Sequence, residues 1–170
     1  QFCEKLVAKT KNLKVGNGLD ESVEVGPVIN QQAVDKIMNY IEIGKNEDKA
    51  TLACGGNRMT DGHYGKGFFI EPTVFTNVDR NHRIAQEEIF GPVLTVQSFR
   101  TEDEVIEKAN NTPFGLSAGV WTDKGSKIFN MTTKLKAGVV WANTYNKFDP
   151  TSPFGGYKES GYGREGGLHG

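Results

Sequence analysis

Two cysteines in 170 residues, Cys3 and Cys54, are too few for a disulfide framework, and both read as free thiols. Histidine is equally sparse. His63, His82 and His169 stand far apart, and no cysteine or histidine pair has the short spacing of a structural zinc site, so no metal is expected. Charge of one sign is missing too: 20 Lys and Arg face 21 Asp and Glu, a net charge of -1. That balance leaves no basic field to attract nucleic acid or an anionic membrane surface. No apolar run approaches the roughly 18 residues of a membrane span, and no charged segment followed by an apolar one with a cleavage site opens the chain. The expectation is a soluble, cytoplasmic protein with neither a nucleic-acid nor a membrane partner. An initiator methionine is also lacking: the chain starts at Gln1, inside an amphipathic pattern, and reads as a cut piece.

What remains is a chain long enough to bury roughly two thirds of its unfolded surface, for which one compact unit is the default. Glycine is abundant, 21 residues, and seven of them fall between Gly155 and Gly170.

Phe2, Leu6, Val7 and Leu13, set among lysines, fit a helix that stops near Gly16. After the polar segment NGLDESVEVGP, Val34, Ile37, Met38 and Ile41 recur at helical spacing, with Asn30 placed to accept from first-turn N–H groups. ATLACGG reads as a short strand ending in a glycine turn. GFFIEPTVF reads as extended segments interrupted by Pro72, which favours an edge or a bend. VLTVQSF is a β-branched strand, and TEDEVIEKANN opens with Thr101 and Glu104, the pattern of a capping box. GLSAGVW is the next strand, Asp123 is placed to cap a helix carrying Ile128, Phe129 and Leu135, and GVVWAN closes the series. Strand–helix–strand–helix–strand implies right-handed crossovers, hence an α/β fold with an open, mostly parallel sheet and helices on both faces.

A literal G-x-G-x-x-G at Gly161, Gly163 and Gly166 lacks the following helix that a dinucleotide fingerprint needs, so these glycines are read as backbone geometry. Cys54 in LACGG is a small apolar residue of a strand, with no cation or helix N-terminus to activate it. Cys3 is no better placed, and the polar turns around His63 and His82 fit surface residues. No catalytic residue is therefore assigned. In QEEIFGPV, two carboxylates, Glu87 and Glu88, stand directly before Ile89 and Phe90. Either this is a charged turn, or one carboxylate faces a ligand. In NTYNKFDPTSPFGGYK, Phe148 and Phe154 flank two prolines beyond a strand end, where α/β sheets bind ligands. The same pattern also describes two aromatics closing a local cluster.

QEEIFGPV, ANNTPFGLSAGVWT, AGVVWANTY and SPFGGYKESGYGRE, in this order and spacing, resemble the aldehyde dehydrogenase superfamily. VGPVIN, IMNYIEIGK and GFFIEPTVF extend the similarity over essentially the whole chain. The resemblance implies the carboxyl-terminal portion of a catalytic domain, within an enzyme that oxidises an aldehyde to an acid through a cysteine thioester, with NAD or NADP taking the hydride. It implies that Glu88 accepts hydrogen bonds from the nicotinamide-ribose hydroxyls and that Phe90 packs beside the nicotinamide. An ionised carboxylate accepts two hydroxyl donors at once, which suits a diol. Glu87 is left with a structural role. Phe148 and Phe154 are implied in the aldehyde tunnel, with Thr144 near the substrate and Asn143 in the strand leading there. Ala33 departs from the pattern, standing where many relatives carry a cofactor-proximal glutamine; Gln32 is beside it. The nucleophile, its general base, the oxyanion-stabilising asparagine and the dinucleotide-binding domain are implied before Gln1, and an oligomerisation strand after Gly170. A homodimer or homotetramer is implied for the intact enzyme. The alternative is a non-catalytic binding or assembly protein on the same fold.

Overall fold

In the computed structural model, residues 1–168 are described; His169, noted above, lies outside them. Where length suggested one compact unit, the chain divides into two, Gln1–Ser98 and Phe99–Gly170.

The first unit is organised by an apolar helix. α1 (Phe2–Lys11) is followed by α2 (Gln31–Asn46), whose Asn30 cap accepts from the Ala33 N–H at 2.8 Å, as the sequence predicts. Val34, Ile37 and Ile41, one stripe of α2, are buried with Phe75, Ile70, Ile84 and Ile89. Each such side chain contributes about 1.5–3 kcal/mol on leaving water. β1 (Thr51–Cys54), β4 (Thr73–Thr76) and β5 (Val93–Thr95) form a sheet in the order β1-β4-β5, antiparallel then parallel. β2 (Arg58–Met59) and β3 (Phe69–Ile70) make a separate antiparallel pair, and α3 (Arg83–Gln86) leads towards β5.

Pro72 immediately precedes β4, the middle strand, so it marks a bend and not an edge; ladder pairing starts with the Thr73 N–H, which donates to the Pro92 carbonyl at 2.8 Å. The first helix ends at Lys11, short of the stop near Gly16 that its apolar spacing suggests. Leu13 lies outside it because Val15 bridges Val25, and the Lys14 and Gly16 N–H groups are taken by Glu24 and Val25, which leaves that stretch extended.

The second unit carries α4 (Glu102–Asn110), β6 (Phe114–Gly115), β7 (Ser117–Val120), α5 (Gly125–Lys134), β8 (Val139–Ala142) and β9 (Tyr157–Lys158). β7 and β8 pair in parallel across the α5 crossover, as expected of a strand–helix–strand unit. Thr101 caps α4 by accepting from the Glu104 N–H, while the Glu104 carboxylate reaches one residue further back, to the Arg100 N–H at 2.8 Å. Asp123 does not cap α5: Lys124 occupies the cap position and its side chain makes no capping bond. On α5, Met131 is buried while Phe129 is exposed.

The α/β class with its parallel strands is present, but the pairing is more mixed than the crossovers alone imply. Parallel contacts join β4 to β5 and β7 to β8; antiparallel ones join β1 to β4, β2 to β3 and β6 to β9. The glycine-rich tail accounts for one of these. It returns along β6 through β9, and Phe154 and Glu165 exchange two backbone hydrogen bonds of 2.8 Å.

Candidate functional site

The paired carboxylates divide sharply. Glu87 is fully engaged: the Arg83 guanidinium donates to it through Nε at 2.9 Å and Nη2 at 3.1 Å, and the Tyr40 hydroxyl donates at 2.6 Å. Arg83 first, then Tyr40, hold its carboxyl well below the ordinary range, at about 2. The same hydrogen bond raises the Tyr40 hydroxyl above its usual value. Glu88, the next residue, is exposed and enters no hydrogen bond or ion pair among the described residues.

Beyond Glu88 the chain alternates between core and solvent. Ile89 is buried with Ile37 and Ile41. Phe90 points the other way, 80 % exposed, on a backbone of φ +59°. A bulky residue in that left-handed region costs about 1–3 kcal/mol and persists only where its surroundings enforce it. Those surroundings are visible: a Cβ on Gly91 would meet the Ile37 side chain at 2.4 Å, so glycine lets the chain pass this close to α2 without displacing a buried side chain. An exposed aromatic is thus held out at a conformational cost, beside an acceptor with no partner.

Phe90 and Ile89 line an open recess of about 410 Å³ whose other wall is the first turns of α2, Asn30, Gln32, Ala33 and Lys36. Ala33, the position that departs from the expected pattern, and its neighbour Gln32 both line it. Lys36 was not singled out from the sequence, and Asn30 was named there only as the α2 cap. The helical spacing of Gln32 and Lys36 was the available signal. An apolar ring, side-chain amides and an ammonium line this recess, and the unpartnered Glu88 carboxylate precedes it in sequence by one residue; polar groups beside an aromatic wall suit a ligand that carries both hydroxyls and a ring.

In the second unit, Phe148 and Phe154 lie edge-to-face with ring centroids 5.0 Å apart. They continue a ladder from Trp121 through Tyr145 and Trp141, whose rings are 6.3, 4.9 and 5.5 Å from their next neighbours. Trp141 is fixed by its indole N–H, which donates to the Lys147 carbonyl at 3.0 Å. Trp141, Phe148 and Phe154 line a recess of about 770 Å³ with Asp149, Glu165 and Lys147. Thr144 is half-buried and does not line it. Asn143 is structural: its amide accepts from the Thr122 N–H at 2.9 Å and donates to the Thr122 carbonyl at 3.0 Å, tying the ends of β7 and β8. The sequence reading missed Trp141 and Tyr145, although both stand four residues apart in VVWANTY.

The remaining reactive side chains gather no site. Cys54 is buried in β1, the His82 imidazole accepts the Asp79 N–H in a turn, and His63 stacks on Tyr64. Among the described residues no group of three or more His, Cys, Asp or Glu could hold a metal ion, and no helix is long and apolar enough to cross a membrane. Gly161 and Gly166 have positive φ, and no helix follows them among the described residues.

Comparison with known proteins supplies the family. The family model described as "Aldehyde dehydrogenase family" matches residues 1–170. The chain is 49 % identical over 168 residues to a betaine aldehyde dehydrogenase of Brucella anthropi and 48 % identical to one of Mesorhizobium japonicum, in each case over 99 % of this chain and 34 % of the relative. Among solved structures it is similar to betaine aldehyde dehydrogenase from Staphylococcus aureus in complex with NAD+, at 44 % identity and a TM-score of 0.95, over 99 % of this chain and 33 % of that one. An aldehyde dehydrogenase from Bacillus cereus, an E194S mutant, matches with 46 % identity and a TM-score of 0.91, over 98 % of this chain and 33 % of that one. The chain therefore spans about a third of the length of the relatives it matches. With the motifs, the fold and the matched length in agreement, this chain belongs to the aldehyde dehydrogenase family.

Proposed function

We propose that this chain serves as part of an NAD(P)-dependent aldehyde dehydrogenase that converts an aldehyde to a carboxylic acid, contributing the nicotinamide-ribose contact and part of the aldehyde tunnel. The nucleophilic cysteine, its general base and the dinucleotide-binding domain are assigned to segments outside residues 1–170. The observation that carries the reading is the division between the two adjacent glutamates: Glu87 is consumed by Arg83 and Tyr40, while Glu88 is free beside the outward-held Phe90. The bound dinucleotide supplies the hydride acceptor. Glu88 contributes a carboxylate that accepts from two ribose hydroxyls, and Phe90 an apolar wall that keeps water from one side of the ring.

The aldehyde enters, on this reading, past Phe148 and Phe154. Betaine aldehyde is the substrate to try first, since the curated relatives carry that name and aromatic rings with Asp149 and Glu165 in one recess suit a cationic headgroup. Lys147 lines the same recess, so an uncharged aldehyde of equal length is the comparison to run alongside. We assign the intact enzyme to the cytoplasm, as a homodimer or homotetramer.

The test is single-turnover NADH formation by the full-length gene product. Glu88→Gln is expected to slow it roughly 10- to 100-fold, because a hydrogen bond to a charged acceptor is worth about 1.5–3 kcal/mol. An unchanged rate would refute the assignment, and failure of the unsubstituted protein to oxidise any aldehyde would favour a non-catalytic binding protein on this fold.

A further inference from the structure

The ion pair at Glu87 is built more elaborately than its exposure justifies as a stabilising device. Its carboxylate and the Arg83 guanidinium remain 41 % and 46 % exposed, and pairs so open to solvent add little to stability. Yet this carboxylate takes three donor groups from two separate elements, α2 and α3. Arg83 extends the connection through Nη1 to Glu47 at 3.3 Å, and its guanidinium lies 5.8 Å from the centre of the Tyr40 ring. Asp48, just beyond α2, accepts from the Arg83 and Ile84 N–H groups at 3.1 and 3.0 Å. The short α3 is therefore tied to the end of α2 by backbone and side chain together.

The effect falls on the four residues that follow. Glu87 is fixed to α2 through Tyr40, Ile89 is fixed by burial, and Gly91 is fixed by its approach to Ile37. Only Glu88 and Phe90 are free to face outward between these three anchors. Tyr40 stands one helical turn beyond Lys36, so α2 supplies both the wall of the recess and the brace for the opposing segment. A rotation of the backbone at Glu87 turns the Glu88 carboxylate directly, since the two are adjacent.

We propose that Tyr40 and Arg83 act through Glu87 as positioning residues that aim Glu88 at the nicotinamide ribose and Phe90 at the nicotinamide, an inference that rests on the cofactor role assigned to Glu88. The brace holds direction and contributes little to global stability. Neither Tyr40 nor Arg83 needs to touch the cofactor for this.

The experiment is a double-mutant cycle on the full-length gene product, comparing Glu87→Gln, Tyr40→Phe, Glu88→Gln and Glu87→Gln/Glu88→Gln. It reads single-turnover NADH formation and, in cofactor-free protein, amide hydrogen exchange across residues 87–91. Glu87→Gln is expected to lower the rate about fivefold and Tyr40→Phe about twofold, the size of a misaimed contact between coupled neighbours. Both are expected to speed exchange in residues 87–91 while the unfolding temperature stays close to that of the unsubstituted protein. In the Glu88→Gln background, Glu87→Gln should add almost nothing. The proposal is overturned if Glu87→Gln leaves rate and exchange unchanged while Glu88→Gln slows hydride transfer, or if the two losses multiply in full. An unchanged rate with Glu88→Gln alone is a different result: it removes the ribose assignment itself.

Discussion

The two units reach a folded state by different means. In Gln1–Ser98 ten buried apolar residues of the described chain cluster around one helix, and the segment carrying Glu88 and Phe90 meets that core through Ile89 and Gly91. Among the described residues of Phe99–Gly170 the buried apolar cluster has three members, Val120, Met131 and Leu135. Close backbone approach and side chains bonded to carbonyls take over the rest of the work. Arg164 donates to the Gly156, Tyr162 and Gly163 carbonyls, and Lys158 to those of Asn110 and Thr112. A unit dominated by apolar burial tolerates loss of one polar tie; where backbone passes against backbone, an added methyl group is the more damaging change.

That contrast is sharpest at Gly138. A Cβ there would lie 1.6 Å from the Gly155 carbonyl oxygen and 2.7 Å from its carbon, so its nearest neighbours are backbone, with no flexible side chain to yield. Gly138→Ala is expected to cost more than about 4 kcal/mol, the exceptional class for a single substitution, and to abolish the near-ultraviolet signal of Trp121 and Trp141. A variant with native near-ultraviolet circular dichroism would break the contrast. Next in size is Ile41→Ala in the first unit, where removing a fully buried side chain should cost about 2–5 kcal/mol in denaturant titration. A loss below about 1 kcal/mol would mean that this core is less decisive than its burial implies.

Smaller still is Asn143→Ala, which breaks two hydrogen bonds at the ends of β7 and β8 and is expected to cost about 1–2 kcal/mol, read by the same titration. The smallest effect concerns pH. The Glu87 carboxyl sits at about 2 when folded against an ordinary 4.5, so its favourable interaction is complete above about 4.5 and is lost as pH falls towards 2. Glu87→Gln should flatten the pH dependence of unfolding across that window, and high salt should shrink the difference because the pair is exposed. An identical pH dependence in both proteins would show that Glu87 and Arg83 do not pair in solution.

How much of this was readable from residues alone differed by range in sequence. α2 with its Asn30 cap, the Thr101 start of α4 and the β7–α5–β8 crossover are set by local periodicity and capping, and all three follow the sequence reading. The end of α1 was not legible, because Val25, ten residues away from Val15, competes for the backbone there. Asp123 looked like a cap because it is the right residue type, yet α5 starts one residue too late for it. At the site, the motif named Glu88 and Phe90, and the structure adds what a motif cannot: the left-handed backbone at Phe90 and the donor from Tyr40, 47 residues from Glu87. Arg83 and Glu87, four apart, were in principle legible as a helical pair. Phe148 and Phe154 were named from their prolines, while the ladder that supports them depends on Trp141 and Tyr145 turning towards the same side.

The central claim is that adjacent glutamates have separate duties, Glu87 bracing and Glu88 binding. A crystal structure of the full-length gene product with NAD bound tests it most directly. The account expects the Glu88 carboxylate within hydrogen-bonding distance of both nicotinamide-ribose hydroxyls, Phe90 against the nicotinamide, and Glu87 still held by Arg83 and Tyr40. Ribose hydroxyls bonded to Glu87, or a Glu88 carboxylate turned away from the cofactor, would contradict it.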